Sequence, residues 1–247
     1  MSGRSLQVKA QMRILALDTA LAYLSVACLE AGPSGDALLV QERVGASGAH
    51  AERLMPLIQE VLDRAHLAFA DIDRLAVTLG PGTFTGVRTG IAAARGFRLA
   101  CGVEVVGTTS LAVMAEQAFR EIGGELGGRA LLVTSDARRG RIYAELFGTG
   151  SSDPLSGPAE LGAPDIQAFC QGRPVLAVGS GIAVPDIRAA LDQSGCVVRD
   201  DLAQIVPMAE DLARMAKHLA PLDVIVPLYI RPPDAKPPTS HAIARQS

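Results

Sequence analysis

Asp18 and Thr19 end a short apolar run, Arg13-Ile-Leu-Ala-Leu-Asp-Thr19. A carboxylate beside a hydroxyl at a strand end suits a phosphate or a metal-bound water, because strand ends can open into a cleft. An aspartate in that place also serves to cap a turn. The stretch Gly80-Pro-Gly-Thr-Phe-Thr-Gly86 is a sharper signal. Its glycines Gly80, Gly82 and Gly86 permit close backbone approach, Thr83 adds a hydroxyl, and the loop leads into a helix N-terminus where amides and dipole favour anions. It departs from the G-x-x-x-x-G-K-[ST] phosphate loop, because Arg88 and Thr89 follow the last glycine without a lysine, and from G-x-G-x-x-G. Asp136-Ala-Arg138 places an acid and a base in a strand-turn-strand, or forms a surface Asx turn. Gly179-Ser-Gly181 follows an apolar strand and allows a nucleotide near the backbone, or simply punctuates a turn. His50 opens a helix, where capping or partner contact is the expected role. His66, His218 and His241 have no His or Cys neighbour at metal-ligand spacing, and no G-x-S-x-G nucleophile elbow occurs.

These residues need a scaffold, and the hydrophobic periodicity supplies one. Three apolar runs, residues 13–19, 22–29 and 37–44, separated by turn residues, predict an antiparallel three-stranded meander. Residues 49–65 switch to helical spacing, with Leu54, Leu57, Ile58, Val61 and Leu62 apolar and Pro56 a local irregularity. A strand at 74–79, the 80–86 loop, a helix at 87–100, a strand at 103–106 and a helix at 110–122 complete a β-β-β-α-β-α-β order followed by one helix. After Gly123-Gly-Glu-Leu-Gly-Gly128, the best junction by composition, strand, turn and strand return around residues 130–147, a faint echo of the first meander. Residues 148–158 read as a Gly/Ser/Pro loop. Alternating βα elements follow, with helices at 184–193 and 208–219 and a docked terminal segment from Pro227. The expected division is an extension at 1–11, a first domain at 12–110, a second and smaller domain at 111–231 whose last helix returns to the first, and a Pro-rich tail at 232–247.

Composition narrows the function classes. With 247 residues, 49% hydrophobic and 20% charged, the chain can bury one large core or two smaller ones, which excludes disorder as its main state. A net charge of −3, 4% aromatic residues and no tryptophan argue against a free-standing nucleic-acid groove, so any RNA role needs a partner's surface. Cys28, Cys101, Cys170 and Cys196 form no CxxC pair and read as buried free thiols of a reducing, cytoplasmic protein. Asp18 interrupts the longest apolar stretch, and no membrane span is expected.

The set Ile14-Leu-Ala-Leu-Asp-Thr19, His50-Ala-Glu52, Gly80 through Arg88, Ala94-Arg-Gly96, Gly107-Thr-Thr-Ser-Leu111, Asp136-Ala-Arg138 and Pro227-Leu-Tyr-Ile-Arg231, in this order, resembles the bacterial TsaB (YeaZ) family over residues 12–231. Thr83 stands where that family usually has serine, and Arg141 follows Gly140 where an acid is more frequent. The resemblance implies an α/β fold of two domains, of the actin, Hsp70 and sugar-kinase (ribonuclease-H-like) class. It also implies a part in making N6-threonylcarbamoyladenosine beside the anticodon of tRNAs that read codons starting with A. In that pathway the metal-dependent paralogue TsaD transfers the threonylcarbamoyl group, and the ATPase TsaE joins the pair. The His-x-x-x-His pattern typical of TsaD is missing, since Leu54 and Ala70 stand four residues after His50 and His66.

The expectation is therefore a non-catalytic scaffold for TsaD, reaching tRNA through the complex and forming a homodimer when alone. Asp18, Thr19, Gly80, Gly82, Thr83, Gly86, Arg88, Asp136, Gly179 and Gly181 would be remnants of a nucleotide cleft facing one another across the domains, with only weak ATP or ADP affinity. The partner face would include His50, Glu52, Leu54, Leu57, Ala93 and Gly96. An ATP-dependent phosphotransferase of the same fold class is the alternative; a metallopeptidase is disfavoured by the lack of ligands.

Overall fold

The computed structural model describes residues 11–33, 35–45, 50–150 and 153–230. The expected extension before residue 11, the tail at 232–247, Ala49, Arg231, His241 and the His50 side chain lie outside the described residues. The first lobe opens with three antiparallel strands, β1 (Met12–Asp18), β2 (Tyr23–Gly32) and β3 (Gly35–Gly45), then α1 (His50–Arg64), β4 (Arg74–Thr78), α2 (Phe84–Cys101), β5 (Glu104–Thr108) and α3 (Ser110–Ile122). The second lobe repeats that order: β6 (Ala130–Arg138), β7 (Arg141–Phe147) and β8 (Pro154–Leu161), then α4 (Ile166–Phe169), β9 (Val175–Val178), α5 (Pro185–Gln193), β10 (Val197–Val198) and α6 (Ala209–Ala216). The sheets run β3-β2-β1-β4-β5 and β8-β7-β6-β9-β10. Each is an antiparallel meander extended by two parallel strands from its first member. This doubled α/β topology is that of the two-lobed actin-like, ribonuclease-H-like class, and it extends the echo near residues 130–147 to a whole second lobe.

The lobes form five layers. Leu15 and Leu17 of β1 point into a core with Leu54, Ile58, Val61 of α1 and Val87, Ile91 of α2. Ile14 and Ala16, on the other face, meet Val113 of α3 and Leu212, Ala213 and Ala216 of α6. Because β1 is covered on both faces, its run is apolar at every position rather than alternating. The remaining faces of α3 pack on the second sheet through Leu111, Met114 and Ala118 against Leu131, Val133 and Val178. Helices α4 and α5 close the far side with Ile166, Ile187 and Leu191. Thus α3 and α6 form the central layer, and α6 returns to the first lobe's sheet.

Strand β8 corrects the expected loop at 148–158. It carries Pro154, Gly157 and Pro158 and pairs with β7 through register shifts near Ala144 and Leu146. Only an edge strand tolerates prolines that donate no ladder hydrogen bond. Helix α2 begins at Phe84, three residues before the expected start. The Thr83 side chain caps it by accepting from the Gly86 amide, which converts the end of the glycine loop into helical first turn. The expectation of four buried thiols holds for Cys28 and Cys170 only; Cys196 is half-buried and Cys101 exposed.

Candidate functional site

The first lobe's glycine loop lies on its own neighbouring turn rather than around an open cradle. Asp18 and Thr19 are 1% and 0% exposed. Asp18 Oδ1 accepts from Thr78 Oγ1 at 2.6 Å and from the Ala20 amide at 3.4 Å. Burial pushes its pKa up to about 7 even though both hydrogen bonds pull the other way. Thr19 Oγ1 donates to the Gly86 carbonyl at 2.7 Å, and the Thr83 amide donates to the Ala20 carbonyl at 2.7 Å. The glycines are needed for this contact. A Cβ on Gly82 would lie 2.2 Å from the Ala20 carbonyl oxygen, one on Gly86 2.1 Å from that of Thr19. The space that a phosphate would need beside these two glycines is filled by backbone carbonyls, whose partial charge repels an anion. The expectation that Asp18 and Thr19 emerge into a cleft is corrected: both are sealed inside the first lobe.

The second lobe repeats this packing. A Cβ on Gly179, which has φ +89°, would meet the Thr134 carbonyl oxygen at 2.0 Å, and one on Gly181 would meet Thr134 Cβ at 2.7 Å. These glycines face their own β6 strand end, where Thr134 Oγ1 donates to the Val178 carbonyl at 2.7 Å. Asp136 is exposed, and its Oδ1 accepts from the Arg138 amide at 2.7 Å, an Asx turn leading into Arg138, Arg139 and Gly140 at positive φ. Its own amide donates to Ser180 Oγ at 3.0 Å. So Asp136, Gly179 and Gly181 gather at one end of the second sheet, each engaged within its lobe.

Two polar links join the layers, and neither left a local signal in the sequence. Thr109, the N-cap of α3, donates to Glu145 Oε2 of β7 at 2.6 Å, and burial raises the Glu145 pKa to about 7. Arg120 of α3 pairs with Asp211 of α6, whose side chain is buried.

The open surface of the first lobe lies on α1 and α2. Met55, Phe84, Thr85, Arg88 and Ala92 border a groove of about 450 Å³ between the two helices. Phe84 is 52% and Met55 51% exposed, large apolar area for a helix face turned away from the core. Gly96 opens onto empty space, Ala92 and Glu52 are exposed, and Ala93 is half-buried. Leu54 and Leu57 correct the expected face: both are buried in the core beneath it, since the same helical spacing serves the inward stripe. Arg88 turns from the glycine loop toward this surface. Its guanidinium lies 3.6 Å from the Phe84 ring centroid, and its Nε donates to Tyr229 Oη at 2.6 Å. Tyr229 ends a strap, residues 221–229, laid along α2 and the β5 edge. The Leu222 amide donates to the Val105 carbonyl at 2.8 Å, Arg95 Nε to the Ile225 carbonyl at 2.7 Å, and the Leu228 amide to the Leu79 carbonyl at 2.8 Å.

Among the described residues, no helix is long and apolar enough to cross a membrane, and no three His, Cys, Asp or Glu side chains gather as a metal site would require.

Comparison with known proteins gives one consistent picture. The profile of the TsaD family, described as tRNA N6-adenosine threonylcarbamoyltransferase, matches residues 44–153. The tRNA threonylcarbamoyladenosine biosynthesis protein TsaB of Escherichia coli is 31% identical over 211 residues, 83% of this chain and 86% of that one. An uncharacterized protein of Mycobacterium tuberculosis is 37% identical over 227 residues, 91% of this chain and 94% of its own length. The structure of YeaZ from Pseudomonas aeruginosa superposes with a TM-score of 0.70 at 25% identity, covering 88% of this chain and 99% of that one.

Proposed function

The chain belongs to the TsaB (YeaZ) family, and from that premise we propose that it is a non-catalytic platform for a TsaD-type transferase, in the synthesis of N6-threonylcarbamoyladenosine next to the anticodon of tRNA. A cytoplasmic location follows from that role. The observation that carries the reading is the α1–α2 groove. It combines exposed Phe84 and Met55 with the small residues Ala92, Ala93 and Gly96, a surface onto which partner helices can pack closely. The engaged glycine loops support the non-catalytic part: the first lobe's nucleotide-loop counterpart spends its Thr83 and Gly86 amides on its own chain. Contact with tRNA then runs through the complex, which fits the net charge of −3. The TsaE ATPase joins the same assembly, and without TsaD the groove serves a second copy of this chain.

The test is co-purification with TsaD from the same organism, followed by a tRNA modification assay containing TsaE and the activated threonine donor. Modification is expected only when TsaD is present together with this chain. Ala93→Arg and Gly96→Arg are expected to abolish co-purification while leaving the thermal transition in place. Transfer by the isolated chain, or undiminished complex formation by both variants, overturns the proposal.

A further inference from the structure

Cys170 and Cys196 lie far apart in sequence but meet on the outer layer of the second lobe. Cys170 is the residue that ends α4, just before β9, and Cys196 follows α5, just before β10. Both belong to the apolar cluster that contains Ile166, Val175, Ile187 and Leu191. The Cys170 thiol donates a hydrogen bond to the Cys196 sulfur. The other two thiols are placed differently: Cys28 is buried in the first lobe and Cys101 is exposed at the end of α2.

We propose that Cys170 and Cys196 are a reversible redox pair, closing to a disulfide under a hydroperoxide oxidant and stapling the α4–β9 junction to the α5–β10 junction. Three features favour closure. The sulfurs are already in contact, so forming the bond needs a small approach rather than a rearrangement. Each cysteine adjoins flexible backbone, with Gln171 and Gly172 at φ +54° and +68° and Gly195 at φ +70°, and a side chain at either glycine would meet nothing within 4 Å. The two thiols are also unequal. Cys196 is half-buried, and the hydrogen bond from Cys170 lowers its pKa, against the carboxylate of Asp192, which opposes ionisation; Cys170 is buried and its thiol is held protonated.

That asymmetry assigns the order of steps. The Cys196 thiolate attacks one peroxide oxygen, the O–O bond breaks, and the departing oxygen leaves as water or alcohol after taking a proton, giving a sulfenic acid at Cys196. The Cys170 sulfur then attacks the Cys196 sulfur and the S–O bond breaks. The hydroxyl leaves as water with the proton from Cys170. Two thiols lose two electrons and the peroxide gains them. A small dithiol reverses the change by exchange.

The test oxidises the purified full chain with one equivalent of hydrogen peroxide, in a Cys101→Ser background that removes the exposed competitor, then alkylates and maps peptides without reduction. The expected result is a cross-linked pair holding Cys170 and Cys196, two hydrogens lighter than the sum of its peptides and lost on treatment with dithiothreitol. The oxidised protein is expected to melt several degrees above the reduced form, since the link restricts the unfolded chain. Cys196→Ser should lose both effects, whereas Cys170→Ala, a smaller change to the core, should leave a sulfenic acid at Cys196 that dimedone traps. A folded protein that yields no 170–196 cross-link, or one in which peroxide leaves Cys196 unmodified in the Cys170→Ala variant, overturns the proposal.

Discussion

Thr78 donates its hydroxyl to Asp18 Oδ1 at 2.6 Å across the seam between β4 and β1, in a position where the carboxyl is 1% exposed. The bond favours the carboxylate and burial favours the acid. Burial prevails, with a pKa near 7 against an ordinary value of 3.8. The folded state therefore binds this proton more tightly than the unfolded chain does. The contribution is fully present below pH 3.8 and is lost as pH rises toward 7. Asp18→Asn keeps an acceptor for Thr78 and removes the charge. Its stability relative to the wild type is expected to improve steadily between pH 4 and 7 and to level off above, by a few kcal/mol in all. Urea melts of both proteins at several pH values measure the difference; one that does not vary with pH contradicts a buried neutral Asp18.

Gly86 and Gly96 sit in the same helix and should respond oppositely to alanine. At Gly86 the new methyl meets the Thr19 carbonyl oxygen at 2.1 Å, a backbone atom that cannot rotate away, whereas at Gly96 it meets open space. Gly86→Ala is expected to cost about 3 kcal/mol or more, and Gly96→Ala to gain about 0.5–1 kcal/mol from helix propensity. Thermal melts of the two variants separate them. Equal shifts would mean that the loop does not press on the 19–20 turn.

Arg120 supplies the charge partner of the buried Asp211 between α3 and α6. Arg120→Ala leaves that carboxyl without its compensating cation and is expected to lose about 3 kcal/mol near neutral pH. Burial already holds the Asp211 pKa above its ordinary value, and Arg120 is what restrains the rise. Without Arg120 the acid form is favoured further, so the loss should shrink as pH falls. Replacing both residues with leucine is expected to recover most of the stability, because two apolar side chains need no pairing. A double-mutant cycle across pH checks both points.

The sequence showed the elements better than it showed their use. Covered strands such as β1 and amphipathic helices such as α1 carry their burial pattern locally, so their positions were legible. The glycine loop was legible as a place of close approach, but a glycine records only that something comes near its Cα. Whether that is a phosphate or the carbonyls of Thr19 and Ala20 depends on how β4 and α2 meet the β1–β2 turn. Leu54 and Leu57 share a helical period with exposed Met55 nearby, and the period alone does not assign a residue to core or partner face. The Thr109–Glu145 and Arg120–Asp211 links, and the strap carbonyl held by Arg95, join residues distant in the chain, so no spacing rule could reach them. The second lobe's repeat is faint in sequence because an edge strand with two prolines stands where the first lobe has β3.

The final prediction concerns nucleotide. A triphosphate bound in this fold class needs free amides at the glycine loop and cations near its oxygens. Here the Thr83 amide is committed to the Ala20 carbonyl and the Gly86 amide to the Thr83 hydroxyl. Arg88, the cation nearest the loop in sequence, lies against Phe84 and Tyr229. Making room would mean parting the loop from the 19–20 turn, giving up the Thr19–Gly86 and Ala20–Thr83 hydrogen bonds together with their buried packing. The free chain is therefore expected to bind ATP with magnesium only weakly, and Thr19→Val, which deletes the hydroxyl that donates to Gly86 while keeping the side-chain volume, should lower stability without raising affinity. Isothermal calorimetry on both proteins decides the matter. A dissociation constant of about a micromolar, roughly −8 kcal/mol, would show that the loop opens at small cost and would favour a phosphotransferase over a platform.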